Sequence, residues 1–152
     1  MPVFVRTEGL TRRSIDPARV RTAGAGMLEA LGLPEAELSV LLCEDRQIRR
    51  LNRRYRQIDR PTDVLAFPLL ERDEIHRDRP ILLGDIVISL PTARKQARKG
   101  KRTIAFEVTF LLAHGLLHLL GYDHRNRAEE RRMNARTDFL VAAGQGLSTA
   151  SR

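Results

Sequence analysis

Ile104-Ala-Phe-Glu-Val-Thr-Phe-Leu-Leu-Ala-His114-Gly-Leu-Leu-His118-Leu-Leu-Gly121-Tyr-Asp-His124 is the stretch around which the chain is organised. From Ile104 to Leu120 it is apolar nearly all round, the pattern of a helix buried on most of its surface. Glu107, His114 and His118 interrupt it, which points to a protein core and away from a membrane span. Three of the four histidines in the 152-residue sequence fall in the last eleven positions of this stretch. His114 and His118 are spaced i, i+4, so on a helix both imidazoles share one face and can reach a single metal ion. Gly121 offers the left-handed backbone that commonly ends a helix, and the turn it allows brings His124 back towards the same point. Three neutral nitrogen ligands with room for a water make the catalytic type of zinc site, whereas a structural site normally closes with a fourth protein ligand.

Ordinary helix-end histidines would explain neither the repeat nor the glycine between the second and third. The spacing H-x-x-x-H-x-x-G-x-x-H is that of the metzincin proteases, which place a glutamate general base directly after the first histidine. Here that position is Gly115. The spacing of a ligand cage is kept while the proteolytic base is missing.

Two further motifs stand upstream in order: Tyr55-Arg56 with Asp59-x-Pro61-Thr62-Asp63-Val64-Leu65 and Phe67-Pro68, then Leu83-Gly84-Asp85-Ile86. Together with the histidine motif they resemble the YbeY family of bacterial metal-dependent endoribonucleases, from roughly Leu38 to Met133. The resemblance implies a four-stranded sheet with a metal cleft beside the buried helix and one divalent ion, zinc or a neighbour such as nickel, on His114, His118 and His124. It also implies catalytic roles for His114 and for Arg56, near the metal, and single-strand RNA cleavage in ribosomal RNA maturation, including 16S 3′-end processing and ribosome quality control. Ala66 departs from the family's usual serine, and the last helix lacks the usual glutamine and glutamate after Met133. Neither departure touches the metal ligands.

A length of 152 residues with 42% hydrophobic and 30% charged content is that of one soluble globular domain able to bury a core. The single Cys43 cannot form an internal disulfide and reads as a small buried hydrophobe, which suits a reducing, cytoplasmic compartment. The N-terminal Met-Pro-Val-Phe-Val-Arg6 breaks too soon for a signal peptide. Net charge is +8 and the pI about 10.9. Such a balance attracts polyanions, and next to a hydrolytic metal site nucleic acid is the expected partner, with the ribosome behind it.

Val3 and Val5 read as a first strand. Asp16-Pro17 starts a helix that buries Val20, Met27, Leu28 and Leu31 and stops at Gly32-Leu33-Pro34. Residues 38–43 form a buried strand, and Glu44-Asp45 cap a helix reaching Arg56 with Ile48, Leu51 and Tyr55 inward. Its other faces carry Arg46, Arg49, Arg50, Arg53 and Arg54. Residues 63–67 make a third strand ended by Pro68, and Glu71 to Arg79 a solvent loop whose His76 is set aside as a surface residue. Residues 81–89 make a fourth strand, with Gly84 marking a bulge or close backbone approach. Asp85 within it reads equally as a second partner of the site or as an ordinary strand-end carboxylate.

Pro91 opens a short helix carrying Arg94, Lys95, Arg98 and Lys99, closed by Gly100. With Arg53, these four are the candidate RNA-phosphate contacts, although no aromatic is interleaved among them to stack bases. Glu107 lies roughly 10 Å below the first histidine at helical rise, too far to be a ligand. A last helix spans residues 128–143, and 144–152 form a frayed tail behind a single domain of residues 1–143.

The elements add up to an α+β protein, a single mixed sheet of about four strands covered by helices, with the buried helix carrying the metal-binding histidines. Whether hydroxide attacks phosphorus or a base activates the RNA 2′-hydroxyl is left open. So is the role of Asp123, which could orient a histidine or bond its own turn. The rival reading is a non-catalytic, ribosome-associated RNA-binding factor whose zinc is structural.

Overall fold

The computed structural model describes residues 3–10, 15–75 and 81–145. Four strands, β1 (Val3–Glu8), β2 (Glu37–Cys43), β3 (Val64–Pro68) and β4 (Leu82–Ser89), form one sheet in the order β1-β2-β4-β3. β1, β2 and β4 run parallel and β3 pairs antiparallel with β4, so the sheet is mixed, as expected. Among the described residues five α-helices complete the fold: α1 (Pro17–Ala30), α2 (Asp45–Arg56), α3 (Leu90–Lys99), α4 (Ile104–Leu119) and α5 (Arg127–Gly144). Among the described residues no helix is long and apolar enough to cross a membrane.

Both faces of the sheet are covered, which is why β2 and β4 read as continuous apolar runs. Leu38, Val40, Leu42, Ile86 and Ile88 join α1, α4 and α5 in the larger core. The intervening Val87 turns to the other face and meets Cys43, Ile48 and Leu65, with Leu41, Leu51 and Phe67 packed around them. β3 is an edge strand, so Pro68, which cannot donate to a ladder, is tolerated as its last residue.

The helix starts follow their local signals. Asp16 Oδ1 accepts from the N–H of Ala18 at 3.0 Å, and Pro17 occupies the first turn. Glu44 is the N-cap of α2, and its N–H donates to Gln47 Oε1 at 3.1 Å. Asp45 is thereby free to accept from Ser89 Oγ and Thr92 Oγ1, both at 2.6 Å, which ties the start of α2 to the start of α3. Thr103 caps α4 and Asn126 caps α5 through bonds of 3.0 and 2.9 Å.

Two expectations are corrected. Tyr55 does not belong to the inward stripe of α2; it is 54% exposed, because the last turn of the helix overhangs a cleft instead of the sheet. Asn52 is buried in its place and donates to the carbonyl of Arg60 at 2.9 Å, holding the following loop. At the C-terminus, α5 extends through Gly144, so that residue is helix and not tail. Residues 146–152, and His76 in the expected solvent loop, lie outside the described residues.

Gly84 fulfils both readings of it. Leu83 is the extra residue between the pairs Glu37–Leu82 and Leu38–Gly84, and Gly84 has φ +147°. A Cβ there would lie 2.3 Å from the carbonyl oxygen of Phe67. Gly84→Ala should therefore destabilise the fold by on the order of 3 kcal/mol or more, read as a lowered midpoint in urea.

Cys43 is fully buried, and burial first, then the nearby carboxylates of Glu8, Asp45 and Glu44, pushes its thiol up to about 12. The native state thus holds this proton where the unfolded chain releases it, so stability declines as pH rises above the ordinary thiol range. At pH 8 the thiol should react with a disulfide reagent no faster than the protein unfolds, and prompt labelling of native protein would contradict this burial.

Candidate active site

The cleft that α2 overhangs has a volume of about 770 Å³. β3 and the loop before it supply one wall, from Thr62 to Pro68. The others are α4 with His114, Gly115 and His118, the last turn of α2 with Tyr55 and Arg56, and the turn carrying Asp123 and His124. Residues separated by up to 69 positions in the chain thus meet in one space, and Arg56 is among them.

The end of α4 is built by a glycine-dependent cap. Gly121 has φ +92°, its N–H donates to the carbonyl of His118 at 3.0 Å, and the N–H of Tyr122 donates to the carbonyl of Leu117 at 3.0 Å. This crossed pair of bonds is the Schellman arrangement, which stops a helix and reverses the chain. The reversal carries His124 back beside the two helical histidines. Asp123 Oδ1 accepts from the His124 N–H at 2.8 Å, so this aspartate does bond its own turn while also facing the cleft. Its other oxygen lies 3.3 Å from Arg125 Nε.

His114 Nε2 and His118 Nε2 are 3.2 Å apart. Nitrogens sharing a tetrahedral ion with bonds of about 2.0–2.1 Å lie about 3.3 Å from each other, so this pair already has chelating separation. Ring centroids are 4.7 Å apart for His114 and His118, 5.8 Å for His118 and His124, and 6.3 Å for His114 and His124. Three imidazoles on one tetrahedral ion would have centroids roughly 5 Å apart. The two helical donors therefore fit a divalent cation, while His124, on its exposed turn, stands wide. Among the described residues no three His, Cys, Asp or Glu side chains are grouped closely enough to hold a metal ion as they stand.

Burial shifts both helical histidines towards the neutral form. Burial pushes His114 below the usual imidazole range, with His124 adding to the effect and Asp63 opposing it. His118 is lowered by burial and by the neighbouring His114 and His124, against Asp123 and a hydrogen bond to the Tyr122 backbone. An unprotonated imidazole is the form that binds metal.

Asp63 is a cleft residue that reading by motif alone left without a role. Its Oδ2 accepts from Gln96 Nε2 at 3.2 Å and its Oδ1 from the N–H of Val64 at 2.7 Å, so the carboxylate is fixed while acting on His114. Gly115 has a second reason to be glycine. A Cβ there would lie 2.9 Å from Ile86 Cγ2, so α4 could not pack this close to β4 with a larger residue in that place.

The other sequence candidates lie elsewhere. Asp85 is exposed on β4 and does not line the cleft. Arg53 lines a separate groove of about 170 Å³ with Arg46, Arg49, Arg50 and Asp59, where Arg49 Nε meets Asp59 Oδ1 at 2.9 Å. Arg94, Lys95, Arg98 and Lys99 sit on α3 and are not among the cleft-lining residues. Glu107 is buried at the start of α4 and ion-paired with Arg102, away from the histidines, as its distance along the helix required.

Residues 12–144 match the family described as Endoribonuclease YbeY. A relative of that name from Anaeromyxobacter sp. (strain Fw109-5) is 50% identical over 133 residues, covering 88% of this chain and 67% of that protein. The Endoribonuclease YbeY of Geobacter metallireducens is 42% identical over 140 residues, covering 90% of this chain and 93% of its own. The solution structure of a Thermotoga maritima protein superimposes with a TM-score of 0.68 at 26% identity, covering 98% of this chain and 93% of that one. With a family match over nearly the whole chain and relatives this similar, the chain belongs to the YbeY endoribonuclease family.

Proposed function

We infer that this protein is a metal-dependent endoribonuclease that cuts single-stranded RNA in the cytoplasm during ribosomal RNA maturation. The observation that carries the reading is the pair of half-buried imidazoles, shifted by burial towards the neutral form, at chelating separation in a cleft that also holds Arg56. The name shared by its relatives, Endoribonuclease YbeY, supports the reaction class.

His114, His118 and His124 would hold the ion, zinc or nickel by ligand type. The chemistry such an ion supplies when bound is polarisation of a phosphoryl oxygen and acidification of water to a pKa of about 7. Arg56 approaches from a different wall. Its guanidinium is planar and always charged, so it can hold two phosphate oxygens and stabilise the negative charge that accumulates as phosphorus becomes five-coordinate. Asp63, a wall residue of the same cleft, favours the charged form of His114 against the effect of burial. A peptidase reading finds no support, since a general base after the first histidine is both absent and without space beside Ile86. Casein should remain uncut.

Protein purified without chelator should carry about one divalent ion per chain by elemental analysis, as expected for one three-histidine site. His118→Ala should lose metal and cleavage together. A wild-type content below about a tenth of an equivalent would sink the assignment of the ligands.

Arg56→Ala should lower single-turnover cleavage by a factor on the order of a hundred while leaving metal content and the unfolding midpoint unchanged. Arg132→Ala, on the exposed face of α5, is the control and should cut normally. Wild-type rates in Arg56→Ala would remove this residue from the chemistry.

A further inference from the structure

One wall of the cleft is aromatic, and neither metal binding nor charge stabilisation uses it. Tyr55 lines the cleft and is more than half exposed, in a chain with two tyrosines and no tryptophan. Its ring and that of Phe67 meet in a T-shape, with centroids 5.1 Å apart. Phe67 is itself anchored on the smaller core, so the tyrosine is backed by a rigid neighbour. The Arg54 guanidinium lies 5.4 Å from the Tyr55 centroid, and Arg56 follows directly in the chain. An exposed aromatic between two arginines is the combination that grips single strands, with cations for the phosphates and a ring for a base.

We propose that Tyr55, braced by Phe67, is the stacking platform for one unpaired base of the RNA, and that it seats the phosphate of a neighbouring nucleotide against Arg56. The proposal rests on the cleft being the ribonuclease site. In a duplex each base is already covered on both faces, so a platform of this kind rewards only a strand whose base can be splayed out. Tyr55 is then a specificity-determining residue, acting on which RNA is held.

The test uses metal-loaded protein and a short unstructured RNA, intact or carrying a single abasic position that is moved along the strand. Tyr55→Ala should weaken binding to the intact strand by about tenfold and Tyr55→Phe by less than about twofold, since stacking needs the ring and not the hydroxyl. One abasic position should cost the wild type about the same tenfold and cost Tyr55→Ala almost nothing. In Tyr122→Phe the sole remaining tyrosine is Tyr55, and its fluorescence should be quenched by the intact strand and not by that abasic one. Equal affinity of wild type and Tyr55→Ala for intact RNA overturns the proposal, as does an abasic penalty that persists in Tyr55→Ala. RNA that is bound in this Tyr55-dependent way but never cut would uphold the platform and sink the ribonuclease reading. Normal cutting by Tyr55→Ala at subsaturating RNA would do the reverse.

Discussion

The close approach of α4 to β4 is the contact on which the rest of the structure depends. Gly115 stands against Ile86 with no room for a Cβ, and Leu111, Leu112, Leu116 and Leu117 fill the surrounding core on almost every side of the helix. Each fully buried leucine contributes about 1.5–3 kcal/mol, so the helix has little freedom to roll. His114 and His118, half-buried in its last two turns, are consequently held at the cleft in one orientation. As the proposed metal ligands they would lose little entropy on binding, because the packing has already ordered them.

Charge is distributed so that the cleft is prepared for an anion without being filled by one sign. On the proposed ligand set, unprotonated imidazoles would leave a bound cation's charge uncompensated, and Arg56 would add a second positive centre from another wall. Asp63 and Asp123 are the acidic counterparts, and each has a hydrogen-bonded place in the backbone that fixes it. Outside the cleft the arginines of α2 and the basic residues of α3 enlarge the field that draws a polyanion towards the site. The exposed Arg49–Asp59 pair among them contributes little to stability, because water screens both partners.

Much of this was legible from the residues because it is local. The helix starts at Asp16-Pro17 and Glu44, the bulge at Gly84 and the reversal at Gly121 depend on a few neighbouring groups and on which residue tolerates positive φ. The i, i+4 spacing of His114 and His118 fixes their separation as soon as the segment is helical. Arg56 came from the motif it shares with a known family, since nothing in its own neighbourhood distinguishes it from the five other arginines of α2.

The remainder was decided by contacts between distant parts of the chain. The order β1-β2-β4-β3 leaves β3 at the edge, and only that placement opens a cleft between β3, α4 and the end of α2. Tyr55 shows the limit most directly: helical periodicity assigns it to the buried stripe with Ile48, yet it meets only the edge strand β3 and the cleft beside it, so it is exposed against Phe67. In the same way Asp63 becomes a partner of His114, and Gly115 a packing residue, only once β3 and β4 lie beside α4. By itself the sequence determined which segments are helix and strand, where most of them start and which histidines share a face, because bonds within a few residues dictate those. What those faces meet was set by tertiary packing, where burial is shared among residues that no local pattern connects.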